Sequence, residues 1–145
     1  MKKRILCIVV ICIMLLLSAC GNKKTPQTIS GVKDYLVQRG LYDESKAVSN
    51  SRVTGEDLAG FLTNDWYVSF GDYKTVDDCK ADYFVGTLVL EDSVETAESN
   101  YSIIEGNQGD SYKIIVRVED TLLVIAGPKD SKEDLRDLAK GLGYY

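Results

Sequence analysis

The chain has 145 residues and a formal net charge of −5, with 45% hydrophobic and 27% charged residues. This is an ordinary globular composition, which excludes wholesale disorder, and the length favours one compact domain over a large barrel enzyme or a two-lobed receptor. Histidine is absent, so the sequence lacks the commonest general base and the commonest metal ligand.

The amino terminus has the pattern of a removable signal segment over residues 1–19. Lys2, Lys3 and Arg4 form a positive cluster, and residues 5–19 carry no charge. A helix of that apolar length spans about 22 Å, which is short of the roughly 30 Å hydrocarbon core of a bilayer. The pattern therefore predicts a signal peptide rather than a permanent membrane span.

The segment ends Leu17-Ser18-Ala19-Cys20, which resembles the lipobox of bacterial lipoproteins. The resemblance implies that the Cys20 thiol receives a diacylglyceryl group, that cleavage precedes Cys20, and that its new amino group is acylated, for example with palmitate. Two acyl chains give stable anchoring. We therefore expect a lipoprotein anchored to the extracytoplasmic face of the cell membrane. The alternatives are an ordinary secretory signal, or a short anchor with an incidental cysteine.

Processing changes both the cysteine count and the charge. Cys79 is the free thiol that remains, because Cys7 and Cys12 leave with the signal and Cys20 is alkylated, so no intramolecular disulfide is expected. Nearby acids disfavour a thiolate, and we expect Cys79 to be a packed side chain. The mature chain has 14 basic and 22 acidic residues, a net charge of about −8. This charge repels nucleic acid, so no nucleic-acid partner is expected.

The first part of the mature chain is predicted to hold a tether and two helices. Residues 20–29 form a flexible tether that begins at the lipidated cysteine, and a single domain occupies 30–145. Ser30 caps a helix that runs to about Arg39, and Gly40 ends it. Residues 41–53 are expected to be loop with a helical turn. A capping box at 54–57 begins a second helix.

The middle of the chain is predicted as strand, strand and helix. Alternation over residues 66–70 indicates a half-buried strand that ends at Gly71-Asp72. Residues 73–81 form a polar connection. Tyr83–Leu90 is rich in strand-forming residues and is predicted as a second strand. Asp92 begins a helix, because apolar residues from Val94 to Ile104 follow helical spacing.

The last third repeats the order strand, strand, helix. A turn cluster over 106–110 precedes an alternating strand from Tyr112 to Val118. Glu119-Asp120 is a tight reversal without the glycine that such a hairpin usually has, and it leads into Thr121–Ala126. Ser131 caps a final helix that ends at Gly143.

The predicted order is α-α-ββα-ββα. Strands joined by short connections pair antiparallel. The sequence thus predicts an α+β fold of two layers, in which a four-stranded antiparallel sheet carries helices on one face.

From residue 28 onward, the chain resembles small lipoproteins of uncharacterised function from low-GC Gram-positive bacteria. The resemblance rests on three passages, which are Arg39-Gly40-Leu41-Tyr42, the stretch from Tyr112 to Ala126 and Gly141-Leu142-Gly143-Tyr144. It implies a cell-surface domain and transfers no active residue.

No catalytic, cofactor or metal motif is recognisable. The chain lacks HExxH, paired CxxC, a calcium loop, GxSxG, SxxK and a P-loop. A loop cluster of acids offers oxygen ligands, but we interpret it as solvated. It consists of Asp72, Asp77, Asp78 and Asp82. We therefore predict a protein that is not an enzyme and that has no cofactor and no resident metal.

The tyrosines are the remaining binding candidates. Tyr67, Tyr73, Tyr83 and Tyr112 are expected on or near a sheet face. Tyrosine suits the recognition of a partner or a sugar, but cross-strand packing is the favoured interpretation.

These observations favour a membrane-anchored, non-catalytic binding module with a protein or envelope ligand. One alternative is a bacteriocin or phage immunity lipoprotein, because an acidic domain suits cationic peptides. The other is an envelope hydrolase that uses a carboxylate pair, for which the only motivation is the number of acidic residues.

Overall fold

The computed structural model describes residues 23–43, 49–53, 56–63 and 66–145. The predicted signal segment 1–19 and the lipidation site Cys20 lie outside these ranges. The elements follow the chain as α1 Ile29–Gln38, β1 Ser49–Val53, β2 Glu56–Leu62, β3 Tyr67–Asp72, α2 Val76–Thr87, β4 Glu91–Ala97, β5 Tyr101–Gln108, β6 Ser111–Val118, β7 Thr121–Pro128, a short 3₁₀ turn Lys129–Ser131 and α3 Lys132–Gly141.

The strands form one antiparallel sheet in the order β1-β2-β3-β7-β6-β5-β4. Strand β3 pairs with β7, which comes much later in the chain, and α2 then crosses the sheet to reach the far edge strand β4. The predicted α+β class is correct. The predicted four-stranded sheet is wrong, since the sheet has seven strands. Strand β2 pairs with β3 and β1 pairs with β2 at one edge, and β4 pairs with β5 at the other.

Helices cover both faces of this sheet, so the prediction of two layers with helices on one face is also wrong. Helices α1 and α3 pack on one face, which we call the front face, through a core that includes Leu36, Phe70, Ile114 and Leu138. Helix α2 packs on the opposite, back face, where Cys79 and Tyr83 meet Ile115 and Leu122. The result is three layers with the sheet in the middle.

The two main errors of local prediction lie around α2. The stretch predicted as a strand, Tyr83–Leu90, lies mostly within α2. The helix begins within residues 73–81, which were predicted to be a polar connection. Thr75 Oγ1 accepts a hydrogen bond from the Asp78 backbone N–H at 3.1 Å and caps the helix. A short apolar run does not by itself distinguish a strand from a helix.

The helix predicted from Asp92 is instead strand β4 followed by β5. All seven residues of β4 are exposed, because β4 is an edge strand. An edge strand with both faces in solvent need not alternate polar and apolar residues, so its apolar positions matched a helical spacing by coincidence. The second predicted helix is likewise wrong, because Glu56–Leu62 is strand β2. Its predicted capping residues 54–55 lie outside the described residues.

Five of the remaining elements match their predictions. Strands β3, β6 and β7 and helices α1 and α3 occur where their periodicity placed them. The reversal at Glu119-Asp120 is confirmed, since Val118 pairs with Thr121, and Glu119 adopts a left-handed φ of 53°. The cap of α1 is Thr28 rather than Ser30, and Ser131 makes no side-chain capping bond. Of the predicted loop 41–53, residues 44–48 lie outside the described residues and 49–53 form β1.

Candidate functional site: an aromatic cleft at one end of the sheet

An open cleft of about 420 Å³ lies at the end of the sheet where β2 ends, β3 begins and β7 ends. Ligand sites in proteins are typically concave and combine apolar walls with a few polar groups. The cleft has this composition. Its walls are Leu62, Thr63, Trp66, Tyr67, Asp110, Ser111, Ala126, Gly127 and Pro128.

Two exposed apolar side chains, Leu62 and Tyr67, lie at the mouth of the cleft. Leu62 pairs with Tyr67 across β2 and β3, and Tyr67 pairs with Ala126 across β3 and β7. Directly opposed residues of an antiparallel pair lie on the same face, so all three share the back face. Leu62 is 70% exposed and Tyr67 is 45% exposed. Large apolar side chains that are this exposed at the mouth of a cleft are available to a ligand.

Trp66 is the rigid wall of the cleft. Thr63 holds its backbone, because Thr63 Oγ1 accepts from the Trp66 N–H at 2.8 Å and donates to the Trp66 carbonyl at 2.9 Å. A Cβ on Gly127 would lie 2.7 Å from Trp66 Cδ1, so a residue without a side chain is needed where the indole crosses β7. The half-buried indole also packs against the front-face core. The ring is therefore preorganised before any ligand binds.

The β5–β6 turn supplies the polar rim. Gly109 takes a left-handed φ of 57°, which glycine adopts without strain, and the turn brings Asp110 and Ser111 to the cleft. Asp110 is the charged residue among the described lining residues. Aromatic faces beside a carboxylate and a hydroxyl suit a ligand that presents a flat apolar face and hydroxyl or amino groups.

A second group of polar side chains lies on the front face. Glu105 is 6% exposed and accepts two hydrogen bonds from Arg136, one of them from Nε at 2.8 Å. Burial alone would raise the pKa of Glu105. The hydrogen bonds and charge of Arg136, with the hydroxyls of Tyr112 and Tyr145, lower this pKa on balance. This buried pair fastens α3 to β5, and we interpret it as a structural contact.

The tyrosines named from sequence separate into two groups. Three of them, Tyr73, Tyr83 and Tyr112, are packed and 6–7% exposed. Tyr112 lies on strand β6, whereas Tyr73 follows β3 and Tyr83 lies on α2, so the prediction of cross-strand packing is wrong for those two. Tyr73 donates to Asp82 at 2.8 Å, and Tyr83 donates to Glu95 at 3.0 Å, so these hydroxyls hold α2 in place. Tyr67 is the exception, and it lies in the cleft.

The acidic cluster is dispersed in the structure. Asp72 ends β3, whereas Asp77, Asp78 and Asp82 lie on α2 with separate partners: Lys80, Thr75 and Tyr73. Within the described residues, no group of three or more acids or cysteines could hold a metal ion.

Cys79 is packed as predicted. Its side chain is fully buried beneath α2, and it is a free thiol. Burial, with a smaller contribution from three nearby carboxylates, raises its pKa to about 12 against the opposing charge of Arg117. A thiol with so high a pKa is a poor nucleophile at neutral pH.

The sequence pattern places Trp66 and Tyr67 on a strand but does not predict the cleft. Its composition depends on the β2–β3 register and on the pairing of β3 with β7. The one local signal was Leu62, an apolar residue one position beyond the inward-facing Phe61.

Comparison with known proteins shows the fold alone. No family model and no curated protein matches this chain. A solved structure similar to it is that of a GTP-binding regulator from Thermotoga maritima, with a TM-score of 0.58 and 11% sequence identity over 81% of this chain and 88% of the other. Among the helices in the described ranges, none has the length and apolar character needed to cross a membrane.

Proposed function

We propose that the protein is a lipoprotein of the cell membrane whose extracytoplasmic domain binds an envelope ligand without catalysis. The observation that carries the binding role is the cleft, in which Leu62 and Tyr67 are exposed beside a held Trp66. The ligand class that fits is one with a flat apolar face and hydroxyl groups, such as a glycan ring, because such rings stack on aromatic side chains.

The anchoring role rests on the lipobox at Leu17–Cys20. A lipid on Cys20 would lie close to the domain, because residues that follow Cys20 in the chain contact it. The Lys24 carbonyl accepts a hydrogen bond from Asn100 at 2.9 Å, and the Gln27 N–H donates to the Tyr144 hydroxyl at 2.9 Å. Lys24 is four positions after Cys20 in the chain, and a fully extended chain covers about 14 Å at most over those four steps.

A lipid on Cys20 would therefore hold the Asn100 end of the sheet close to the bilayer. Tyr101 pairs with Val118, whereas the cleft lies at the other end of β6, beside Ser111. Eight residues of strand separate these ends by about 25 Å. In this arrangement the cleft opens away from the membrane, toward wall and extracellular ligands.

The anchor is tested by mass spectrometry of the protein purified from cells. We expect a mature chain that begins at Cys20 and carries diacylglycerol, and a Cys20→Ser variant that keeps its leader. A mature chain that begins elsewhere, or an unmodified Cys20, would contradict the anchor.

The binding role can be followed through Trp66, which is the single tryptophan of the chain. We expect soluble cell-wall glycan fragments to change its emission, and Leu62→Ser to abolish the change. The matched control is Leu88→Ser, at an equally exposed leucine outside the cleft (66% against 70%).

GTP, the ligand named for the structural neighbour, is the second probe. We expect it not to bind, because the Asp110 carboxylate should repel its phosphates. Saturable glycan binding that both variants retain would exclude the cleft, and glycan turnover by the purified protein would exclude a non-catalytic role.

A further inference from the structure

The outer side of α2 and its C-terminal extension carry an exposed apolar surface. It consists of Phe84, Val85, Leu88 and Val89, which are 61%, 62%, 66% and 48% exposed. We call this surface the outer stripe. The inner side of the same helix is formed by Cys79 and Tyr83, which are 0% and 7% exposed. Helix α2 thus has apolar side chains on two opposite sides.

A helix that is apolar on more than one side is normally buried on more than one side. The sheet covers the inner side of α2, since Cys79 and Tyr83 pack with Ile115 and Leu122. No described residue of this chain buries the outer stripe. Contiguous exposed apolar patches of this kind mark interaction sites. The outer stripe is therefore a candidate interaction surface.

The charges around the outer stripe indicate what that partner carries. Residues 74–92 contain five acids and two lysines, and Lys80 is paired with Asp77 at 3.3 Å. The acids stand before and after the apolar residues in the chain, as Asp77, Asp78 and Asp82 on one side and Glu91 and Asp92 on the other. The complement of this arrangement is an apolar stripe flanked by lysine or arginine.

We propose that the outer stripe of α2 binds a cationic amphipathic helix of another polypeptide. Leucines spaced at i, i+3 and i+4 on that helix would pack against Phe84, Val85 and Leu88, and its basic side chains would face the acids. The alternative function named from the sequence, a bacteriocin or phage immunity lipoprotein, requires a surface that binds cationic peptides. The proposal concerns a different surface from the cleft and does not depend on the lipid anchor.

Charge and size argue against the two other occupants. A second copy would oppose Asp77, Asp78 and Asp82 with identical acids, and four side chains offer less than the roughly 800 Å² per partner of a standard stable interface. A bilayer rich in anionic lipid would repel the same carboxylates. A cationic helix gains both the apolar contact and the charge attraction.

The test measures binding of a fluorescent synthetic peptide of about 15 residues. Its leucines recur at i, i+3 and i+4, and its other positions are lysine. The protein is used as the cell processes it, in nanodiscs of zwitterionic lipid, and signal from empty discs is subtracted. We expect saturable binding that weakens as salt rises, because screening reduces the charge attraction. The same peptide with glutamate in place of lysine should not bind.

A matched pair of variants locates the site. Val85→Glu adds a charge within the outer stripe, and Val94→Glu adds the same charge at a valine of nearly equal exposure on β4 (64% against 62%). We expect Val85→Glu to weaken binding at least about tenfold, and Val94→Glu to leave it within about twofold. The cleft variant Leu62→Ser should also bind the peptide normally, so failure here and failure of the proposed cleft are distinguishable.

Four results would overturn the proposal. They are equal binding of the glutamate peptide, equal loss in both valine variants, self-association that Val85→Glu abolishes, and attachment to anionic vesicles that Val85→Glu abolishes. The last two would assign the outer stripe to a second copy or to a lipid surface.

Discussion

Helices α2 and α3 each pack one side on the same sheet, on opposite faces, but their outer sides differ in composition. The outer side of α3 is charged, and its exposed acids Glu133 and Asp137 form ion pairs with Arg136 at 2.7 Å and Lys140 at 3.4 Å. The outer side of α2 carries Phe84, Val85 and Leu88 in the open. The two helices have similar roles in the fold, so the fold does not explain this difference.

The comparison separates residues that the fold requires from residues that it does not. Helix α3 has the composition of a surface helix, with an apolar stripe inward and charges outward. Helix α2 would be equally well fastened if its outer side were charged, because its inner contacts are made by Cys79, Tyr83 and the hydroxyl bond to Glu95. The apolar outer side therefore points to a requirement outside the fold.

The largest difference is expected from one substitution made in both helices. Leu138→Ala in α3 removes a side chain that is 1% exposed and should lower the free energy of unfolding by about 3 kcal/mol. Leu88→Ala removes one that is 66% exposed and should change it by less than about 0.5 kcal/mol. Urea denaturation measures both. A large loss in Leu88→Ala would show that the chain itself covers the outer stripe.

The inner side of α2 should be as inaccessible as that of α3. Cys79 is fully buried, and burial raises its pKa to about 12. At pH 8 the thiolate fraction is then small, and alkylation by iodoacetamide should be more than about a hundredfold slower than that of a free cysteine with a pKa near 8.5. Rapid labelling of the native protein, followed by mass spectrometry, would instead mean that α2 leaves the sheet readily.

The contact that fastens α3 should depend on pH. Glu105→Gln leaves the partly buried Arg136 with only the exposed carboxylate of Glu133 as a charged partner, and it should lower the free energy of unfolding by about 2 kcal/mol at pH 7. Because the folded state lowers the pKa of Glu105, this stabilisation is complete above the unfolded value of about 4.3 and is lost as pH falls through the folded pKa. The difference in the free energy of unfolding between wild type and Glu105→Gln, measured by urea denaturation, should therefore decrease from pH 6 to pH 3.

Glu133→Gln is the matched control for that titration. Glu133 bonds the same arginine, but its side chain is 75% exposed, so its loss should cost less than about 0.5 kcal/mol. An equal cost for both variants would contradict the assignment of Glu105 as the contact that holds α3 to the sheet.

The same difference between the helices explains what the sequence could predict. Helix α3 was predicted because Leu135, Leu138 and Leu142 give a clean period beside charged residues. Helix α2 has the sequence pattern of a strand, because Tyr83 to Leu90 is apolar on both sides. The apolar residues on the outer side, which produce this pattern, are those of the outer stripe. Local rules fail most often where a segment serves something besides the fold.

The rest of the fold could not be predicted for a different reason. Edge strand β4 is exposed along its whole length, so no burial pattern marks it. The cleft depends on Tyr67 pairing with Ala126, residues almost sixty positions apart. Only the long-range pairing of β3 with β7 brings Trp66 beside Gly127, and no local periodicity encodes that pairing.

The smallest effects should come from one exposed ion pair on each helix. Lys80–Asp77 on α2 and Lys140–Asp137 on α3 share the same spacing and nearly the same length, 3.3 and 3.4 Å. Lys80→Ala and Lys140→Ala should each change the free energy of unfolding by less than about 0.5 kcal/mol.

The same two variants should differ in the peptide assay, because Lys80 is a positive charge beside the outer stripe and Lys140 lies on the other side of the sheet. We expect Lys80→Ala to strengthen binding of the cationic helix about twofold at low salt and Lys140→Ala to leave it unchanged, since removing a like charge matters only near the site. Equal responses would mean that the peptide senses only the net charge of the domain.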